Sequence, residues 1–227
     1  DQLQKVVKVQ TLQKQQSEQT KKEQEGYLKL TEAQYQKQLL DKQETEKKSA
    51  TIRSRIFDLL GVSEAPSFGQ AYEIAKYASG VTGVRPALIL AVITQESNLG
   101  KNVGQCYLKN IETGAGIKIK TRAMSPRTMN PKTIPYFLEV IKNINERKKL
   151  ARDSFATPVS CVMYSNGVPY GYGGAMGPGQ FIASTWKIYD NKVEAVTGRV
   201  ADPWDIRDAF LATALYLKDS GGNKKSG

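Results

Sequence analysis

The chain has 227 residues, 40% of them apolar, which is enough for one substantial hydrophobic core. Its formal charge of +11 is concentrated in one region, since residues 101–152 contain 12 basic and three acidic side chains. The sequence contains no histidine, which excludes a histidine-ligated zinc site and a Cys-His nucleophile. No stretch reaches the roughly 18 consecutive apolar residues of a membrane-spanning helix, so we expect no transmembrane segment.

The basic region suits a polyanionic partner, and charge alone leaves three classes open: nucleic acid, an anionic membrane and the polymers of a bacterial wall. The sequence lacks zinc-finger spacing, an RNP motif and a helix-turn-helix, so we expect no nucleic-acid partner. A solvated face of lysine and arginine that keeps the protein soluble is an equally good interpretation. The motifs described below favour anionic wall polymers over nucleic acid.

Residues 1–60 form the first predicted unit, a long helical or coiled-coil stalk. Residues 1–50 are rich in Gln, Lys and Glu, lack proline and contain one glycine, Gly26. Apolar residues recur at helical spacing before residue 13 and again after residue 27, which predicts two helical arms with a weak point near Gly26. Three arrangements are open: an antiparallel hairpin, part of a larger coiled coil that self-associates or binds a protein partner, or a partly disordered tail.

A linker at residues 61–67, which contains Gly, Ser and Pro, is predicted to separate the stalk from a compact domain at 68–220. Helical apolar spacing in this domain predicts a set of helices near 68–78, 86–99, 135–150, 182–189 and 207–217. The helix that begins at Pro86 is apolar on nearly all sides, which predicts that it is buried.

Residues 101–169 lose most of this periodicity and become rich in Gly, Thr, Asn and Pro, which predicts a loop-rich basic insertion. Residues 221–227 carry no fold signal and are expected to form a flexible tail. The fold class predicted from these elements is all-α.

Cys106 and Cys161 are the two cysteines of the chain, and both lie in the insertion. They are either two free buried thiols or one disulfide. We favour the disulfide, because a cross-link that closes so long an insertion would restrict the unfolded chain considerably. A disulfide in turn predicts an oxidising, extracytoplasmic compartment.

Glu96 lies near the end of the most apolar helix of the chain. Burial there would raise the pKa of its carboxyl group and keep it protonated, ready to donate to a glycosidic oxygen. The alternative is that Glu96 faces solvent on an amphipathic helix, the usual position of a glutamate.

A glycine-rich element at residues 172–186 gives the second signal for a site. Its glycines, Gly174 among them, allow a polymer to approach the backbone around Met176 before a helix begins. Gln180 offers an amide donor and acceptor to sugar hydroxyl or N-acetyl groups. Flat apolar faces for pyranose rings come from Tyr172, Phe181 and Tyr216.

Four motifs follow one another in the order and spacing of the lytic transglycosylase family: 96–98 (ESN), 174–181 (GAMGPGQF), 203–209 (PWDIRDA) and 216–217 (YL). Together they resemble that family over residues 68–220, and the second motif most resembles the membrane-bound type B branch. Two positions depart from the family pattern. Gly171 stands where similar enzymes often have Ser, and Leu215 where many have Asn.

The resemblance implies a lysozyme-like helical domain that cleaves the β-1,4 bond between N-acetylmuramic acid and N-acetylglucosamine. Glu96 would act first as acid and then as base, and the product would carry a 1,6-anhydro end. Ser97, Tyr172, Gly174, Met176, Gln180, Phe181 and Tyr216 would bind substrate. No metal or cofactor is expected. A hydrolase of the goose-lysozyme type and a catalytically silent glycan-binding module are the alternatives.

Overall fold

The computed structural model describes residues 2–27, 34, 36–45, 48 and 65–224. The chain divides into two compact units, Asp1–Leu60 and Gly61–Gly227. Among the described helices, none combines the length and the apolar character needed to cross a membrane.

The N-terminal unit is helical in its described parts. Helix α1 spans Gln2–Tyr27 and includes Gly26, the position at which the sequence predicts a weak point; residues 28–33 lie outside the described residues. Residues 36–45 form a second helical segment, α2. The ammonium group of Lys42 lies 3.1 Å from a carboxylate oxygen of Glu23 and thereby joins the two segments. Most of the apolar positions predicted for the second arm, and the first part of the linker at 61–64, lie outside the described residues.

The second unit contains five α-helices among its described residues: α3 (Phe68–Thr82), α4 (Pro86–Ser97), α5 (Ile134–Lys148), α6 (Ala183–Thr197) and α7 (Ile206–Asp219). All five predicted helices of this domain are therefore confirmed. Capping residues and a proline mark where two of these helices begin. Ser67 and Gln70 form a reciprocal capping box at the start of α3, and Pro86 opens α4, where its missing N–H costs nothing.

Helix α7 lies at the centre of this unit. Its residues from Ile206 to Leu215 are all buried, and it packs against α3, α4 and α6. Helix α3 faces it with Ala71, Ile74 and Ala78, the apolar face that the sequence predicts. Small buried residues on both helices allow close backbone approach, and large buried side chains such as Phe210 and Trp186 fill the rest of the core.

The stretch 101–169 contains β-structure that the all-α prediction missed. Three short antiparallel strands form a sheet in the order β1 (Cys106–Leu108), β2 (Gly116–Lys118) and β3 (Met124–Ser125). Strands β4 (Met163–Ser165) and β5 (Val168–Tyr170) form a separate hairpin. The second unit is therefore helix-rich with small sheets, and this stretch is more ordered than the predicted loop-rich insertion.

Cys106 and Cys161 form a disulfide with a sequence separation of 55 residues, as the sequence predicts. The bond joins β1 to the segment that leads into β4. At the other end of the unit, residues 221–224 form turns, with Gly222 N donating to Leu217 O and Lys224 N to Gly221 O. This part of the predicted flexible tail is held by hydrogen bonds, and residues 225–227 lie outside the described residues.

Candidate active site

A glycine-rich turn, residues 173–181, forms the centre of the candidate site. Its backbone pairs with the segment 158–161: Ser160 N donates to Ala175 O at 2.8 Å, and Gly174 N donates to Ser160 O at 3.0 Å. Single β-bridge pairs join Cys106 to Val159, Val159 to Met176 and Met176 to Phe181. The stretch predicted as an insertion therefore builds one wall of the site.

Two glycines let the turn fit between neighbouring backbones. A Cβ atom on Gly173 would collide with the carbonyl oxygen of Ser160, and one on Gly177 with the carbonyl oxygen of Pro203. Gly177 also has a φ of 59°, which glycine adopts without strain. Since the backbone of the turn lies in close contact with the backbone of segments 158–161 and 202–204, these two segments fix its position.

Helix α4, which carries Glu96, ends in a segment that runs close to this turn. Asn98 and Leu99 adopt left-handed conformations that end the helix, with φ of 50° and 58°. The chain then passes Gly100, where a Cβ atom would lie 3.6 Å from Cγ of Pro178 and 2.9 Å from Cδ1 of Ile206. The segment that follows α4 therefore runs close to the glycine-rich turn, and Glu96 lies four residues before Gly100 in the chain.

The structure corrects the expectation that Glu96 is buried. Its side chain is exposed, because α4 buries only the face carrying Ile89, Leu90 and Ile93, while Ala91 and Gln95 also face outward. The helix is apolar on nearly all sides in sequence, but its neighbours cover one side of it. In the protein without substrate, Glu96 is therefore open to approach from solvent.

Ser97 has a different role from the one expected. It is 1% exposed, and its hydroxyl donates to Ile93 O at 3.2 Å and accepts from Gly100 N at 2.9 Å. These bonds secure the C-terminal end of α4, where carbonyl groups otherwise lack partners. We therefore correct the predicted substrate contact to a structural role beside Glu96.

The family model for the transglycosylase SLT domain matches residues 4–226. The chain belongs to this family. No curated protein and no solved structure matched it. Membership supports a lytic transglycosylase that acts on peptidoglycan, the polymer on which SLT domains act outside the cytoplasm. The match also extends beyond residues 68–220, over which the motifs carry the resemblance.

The predicted binding residues of this transglycosylase domain fall into a buried group and an accessible group. Gly174 is buried, Met176 is 0% exposed and Phe181 is 8% exposed. The ring of Phe181 packs edge-on against Trp186, with centroids 5.7 Å apart, and against Tyr216 at 6.4 Å. This group forms the base of the turn, so the substrate contact predicted for Met176 and Phe181 becomes a supporting role.

The accessible group is Tyr172, Gln180 and Tyr216. Both tyrosine rings are about half exposed, at 47% and 46%. Gln180 has a φ of 49° and donates from Nε2 to Gly177 O at 2.6 Å, so its side chain closes the turn while remaining partly exposed. Of the two departures from the family pattern, Leu215 is buried, and exposed Gly171 has a φ of 65° between the hairpin and the turn.

A buried ionic cluster beneath the turn was missed by sequence reasoning. Asp202 receives two hydrogen bonds from the guanidinium of Arg152, at 2.9 and 2.8 Å. That guanidinium also lies 4.7 Å from the ring centroid of Trp204, whose indole N–H donates to Pro158 O at 2.9 Å. The cluster thereby fixes both backbones that enclose the glycine-rich turn, 158–161 and 202–204.

Asp208 lies at the buried centre of this cluster. It is 0% exposed and accepts from the backbone N–H of Asp202 at 3.0 Å and from Arg199 at 2.7 Å. Burial, and then the negative charge of Asp205, raise the pKa of Asp208 to about 7, against the opposing effect of Arg199. A carboxyl group that titrates near neutrality is therefore part of the support of the site.

Substituting Asp208 by Asn should change how stability depends on pH. Because the folded-state pKa of Asp208 is raised, its contribution to stability is full below the unfolded-state pKa, near 3.8, and is lost as pH rises to about 7. We expect the free energy of unfolding of the wild type, relative to Asp208→Asn, to fall by a few kcal/mol across that window and then level off, one pKa unit being worth about 1.4 kcal/mol. Denaturant unfolding at several pH values measures this difference.

Asp219→Asn is the control for this experiment. Asp219 pairs with Lys192 at 2.6 Å, and this hydrogen bond lowers the pKa of its carboxyl group. Its contribution is therefore lost only as pH falls below its ordinary value, and its difference from the wild type should be flat between pH of about 5 and 8. A wild-type minus Asp208→Asn difference that is equally flat would contradict the raised pKa.

Proposed function

We propose that this chain is a peptidoglycan lytic transglycosylase that cleaves the MurNAc-β-1,4-GlcNAc bond and forms 1,6-anhydroMurNAc, with Glu96 as its acid and base. The observation that carries the proposal is the closeness of Gly100, just after α4, to Pro178 of the glycine-rich turn: a Cβ atom added to Gly100 would lie 3.6 Å from Cγ of Pro178. The proposal is that the exposed carboxyl group of Glu96, four residues before Gly100, faces a glycan strand bound across this turn. Family membership supplies the substrate class.

The reaction needs one carboxyl group in two successive roles. Glu96 first gives its proton to the glycosidic oxygen as the bond from that oxygen to C1 of the muramyl residue breaks. The resulting carboxylate then takes the proton of the C6 hydroxyl as O6 bonds to C1, which restores the acid. No water is consumed. A tethered hydroxyl has a high effective concentration, so no second carboxylate is required to position a nucleophile.

Because Glu96 is exposed, the low-water surroundings that this chemistry favours would come from the bound substrate itself. A glycan strand bound across the turn would displace water from Glu96 and favour its uncharged form. Tyr172 and Tyr216 would pack against pyranose faces, and Gln180 would hold the turn in its binding conformation. Ser97 would position Glu96 by fixing the end of α4.

Four further features belong to the proposal. The enzyme would work outside the cytoplasm, in keeping with its disulfide. By the resemblance of its glycine-rich motif, the enzyme would belong to the type B branch. The N-terminal helical unit would act as a coiled-coil stalk that binds a protein partner or a second copy. Anionic wall polymers would be additional ligands of the basic region, residues 101–152.

Product analysis of digested sacculi tests the reaction. We expect the purified chain to release muropeptides that end in 1,6-anhydroMurNAc, which are lighter by one water molecule than hydrolytic products and lack a reducing end. Mass spectrometry before and after borohydride reduction distinguishes the two. Reducible ends would make the protein a hydrolase, and binding of sacculi without release of any product would make it a glycan-binding module.

A further inference from the structure

The first part of the basic stretch, residues 101–132, carries positive charge that forms no ion pair with any described residue. It has one acidic residue, Glu112, and seven exposed basic ones: Lys101, Lys109, Lys118, Lys120, Arg122, Arg127 and Lys132. Within the described part of the chain, none of these seven is in an ion pair. The helices differ, since Arg147 pairs with Glu194 and Lys187 with Glu139. This charge is therefore available to an anionic ligand.

Exposed tyrosines lie next to two of these cations. The β4–β5 hairpin and the residues after it present Tyr164, Tyr170 and Tyr172, which are 47%, 69% and 47% exposed. The ammonium of Lys118 lies 5.8 Å from the ring centroid of Tyr164, and the guanidinium carbon of Arg127 lies 5.9 Å from that of Tyr172. We call Lys118, Arg127, Tyr164 and Tyr172 the aromatic-basic surface. It pairs flat apolar faces with positive charge.

The aromatic-basic surface is held in place by covalent and hydrogen bonds. Arg127 donates to the carbonyl of Pro169 in β5 at 3.3 Å. Lys118 is the cross-strand partner of Cys106, and the disulfide from Cys106 leads to Cys161, two residues before β4. The sheet and the hairpin are thereby tied together, so a ligand need not order them on binding.

This surface continues directly into the candidate active site. Tyr172 directly precedes the glycine-rich turn, whose first residue, Gly173, donates from its N–H to Arg127 O at 2.9 Å. A polymer that lies across the glycine-rich turn and leaves it on this side would pass over Tyr172 and Arg127. Lys118 and Tyr164 lie on the sheet and the hairpin that Arg127 and the disulfide connect.

We propose that the aromatic-basic surface binds the carboxylate-bearing peptide stems of a glycan strand whose scissile bond lies at Glu96. The inference rests on the proposed function and adds a specificity to it: sugar faces pack on Tyr172 and Tyr164, and stem carboxylates pair with Arg127 and Lys118. A guanidinium and an ammonium beside rings recognise a ligand that is apolar on one face and acidic at its edge. A glycan without charged groups would pack on the tyrosine rings but would offer no anionic partner to Arg127 and Lys118.

The test measures how two ligands bind to the full chain with its wild-type surface and to two charge variants of it. Each of these proteins also carries Glu96→Gln, so that the glycan strands are not cleaved during the measurement. The ligands are soluble glycan strands with peptide stems and the same strands with every carboxyl group converted to a methylamide. The variants are Lys118→Gln with Arg127→Gln, and the control Lys149→Gln with Lys218→Gln. The control removes the same charge from exposed helix ends, where the described residues offer these lysines no ion pair.

We expect Lys118→Gln with Arg127→Gln to weaken binding of the carboxylate strands by about 5- to 10-fold, the effect of two exposed ion pairs. The control pair should change it by less than about twofold. Methylamide strands should bind wild-type and variant surfaces equally. Melting temperatures should differ little, because Arg127→Gln removes only one exposed hydrogen bond to Pro169 and the Cys106–Cys161 disulfide still ties the sheet to the hairpin. Added salt should remove the difference.

Three outcomes would overturn the inference. The first is equal binding of carboxylate strands by both variants. The second is an equal loss on methylamide strands, which would show that the effect is not carried by charge. The third is an equal or larger loss for a duplex DNA oligonucleotide or for phosphatidylglycerol vesicles, which would identify a general polyanion surface. Failure of the proposed function is distinguishable, because it shows in the product analysis of the unmodified chain, whatever the binding result.

Discussion

Replacing Glu96 by Gln is expected to reduce the release of muropeptides by about 100- to 10,000-fold, the usual contribution of a general acid or base. Glutamine keeps the size of the side chain but cannot deliver and recover a proton. The side chain of Glu96 is exposed, and no hydrogen bond or ion pair links it to another described residue. The substitution should therefore leave folding and sacculus binding unchanged. Initial rates of product release from sacculi, with melting temperature and co-sedimentation, measure all three quantities.

Glu112→Gln is the matched control, since it removes an exposed carboxyl group from the same unit. It should retain the wild-type rate. A Glu96→Gln protein that folds, binds sacculi and still releases product within a few-fold of the wild type would assign the proton transfers to another group. Loss of binding together with activity would instead indicate that Glu96 holds the substrate.

The helices could be predicted from the sequence because each combines apolar spacing with a local start or stop signal. Pro86 begins α4, and Gly83 and Gly198 end α3 and α6 in left-handed conformations. The strands could not be predicted in this way, since two or three residues are too few to show a period of two. One signal was available: Asn166-Gly167, with φ of 50° and 77°, is the dipeptide typical of a tight hairpin turn.

The errors about the site have a common physical cause. Sequence periodicity reports which side of a helix is apolar, whereas burial depends on which neighbours pack there. Helix α4 is apolar enough to be enclosed, yet Glu96 is exposed. Conversely, Asp202 and Asp208 would be expected from the sequence to face solvent, yet both are buried. Arg152 pairs with Asp202 from a segment 50 residues away in the chain, and Arg199 pairs with Asp208 from the segment after α6. Motif spacing identified the glycine-rich turn, but only tertiary contacts show which of its residues a ligand can reach.

Removing the disulfide should produce the second large effect, on both stability and catalysis. For a cross-link between residues 55 apart, the chain-entropy model gives a loss of about 4 kcal/mol in the free energy of unfolding for Cys106→Ser with Cys161→Ser. The same bond anchors β1, which pairs through Val159 with Met176 of the glycine-rich turn. A shift of that turn by about 1 Å relative to Glu96 could lower the rate by up to about 100-fold. Denaturant unfolding and product release from sacculi measure the two effects.

The two effects separate when activity is measured well below the unfolding midpoint of the variant, where the folded fraction is the same as in the wild type. A reductant should lower the activity of the wild type and leave the double variant unaffected, since the chain has no other cysteine. If the folded double variant cuts sacculi at the wild-type rate, the hydrogen bonds of Ser160 with Gly174 and Ala175 hold the turn by themselves. If it folds but cuts slowly, the disulfide positions the wall against which the substrate lies, and the enzyme is active only where that bond stays oxidised.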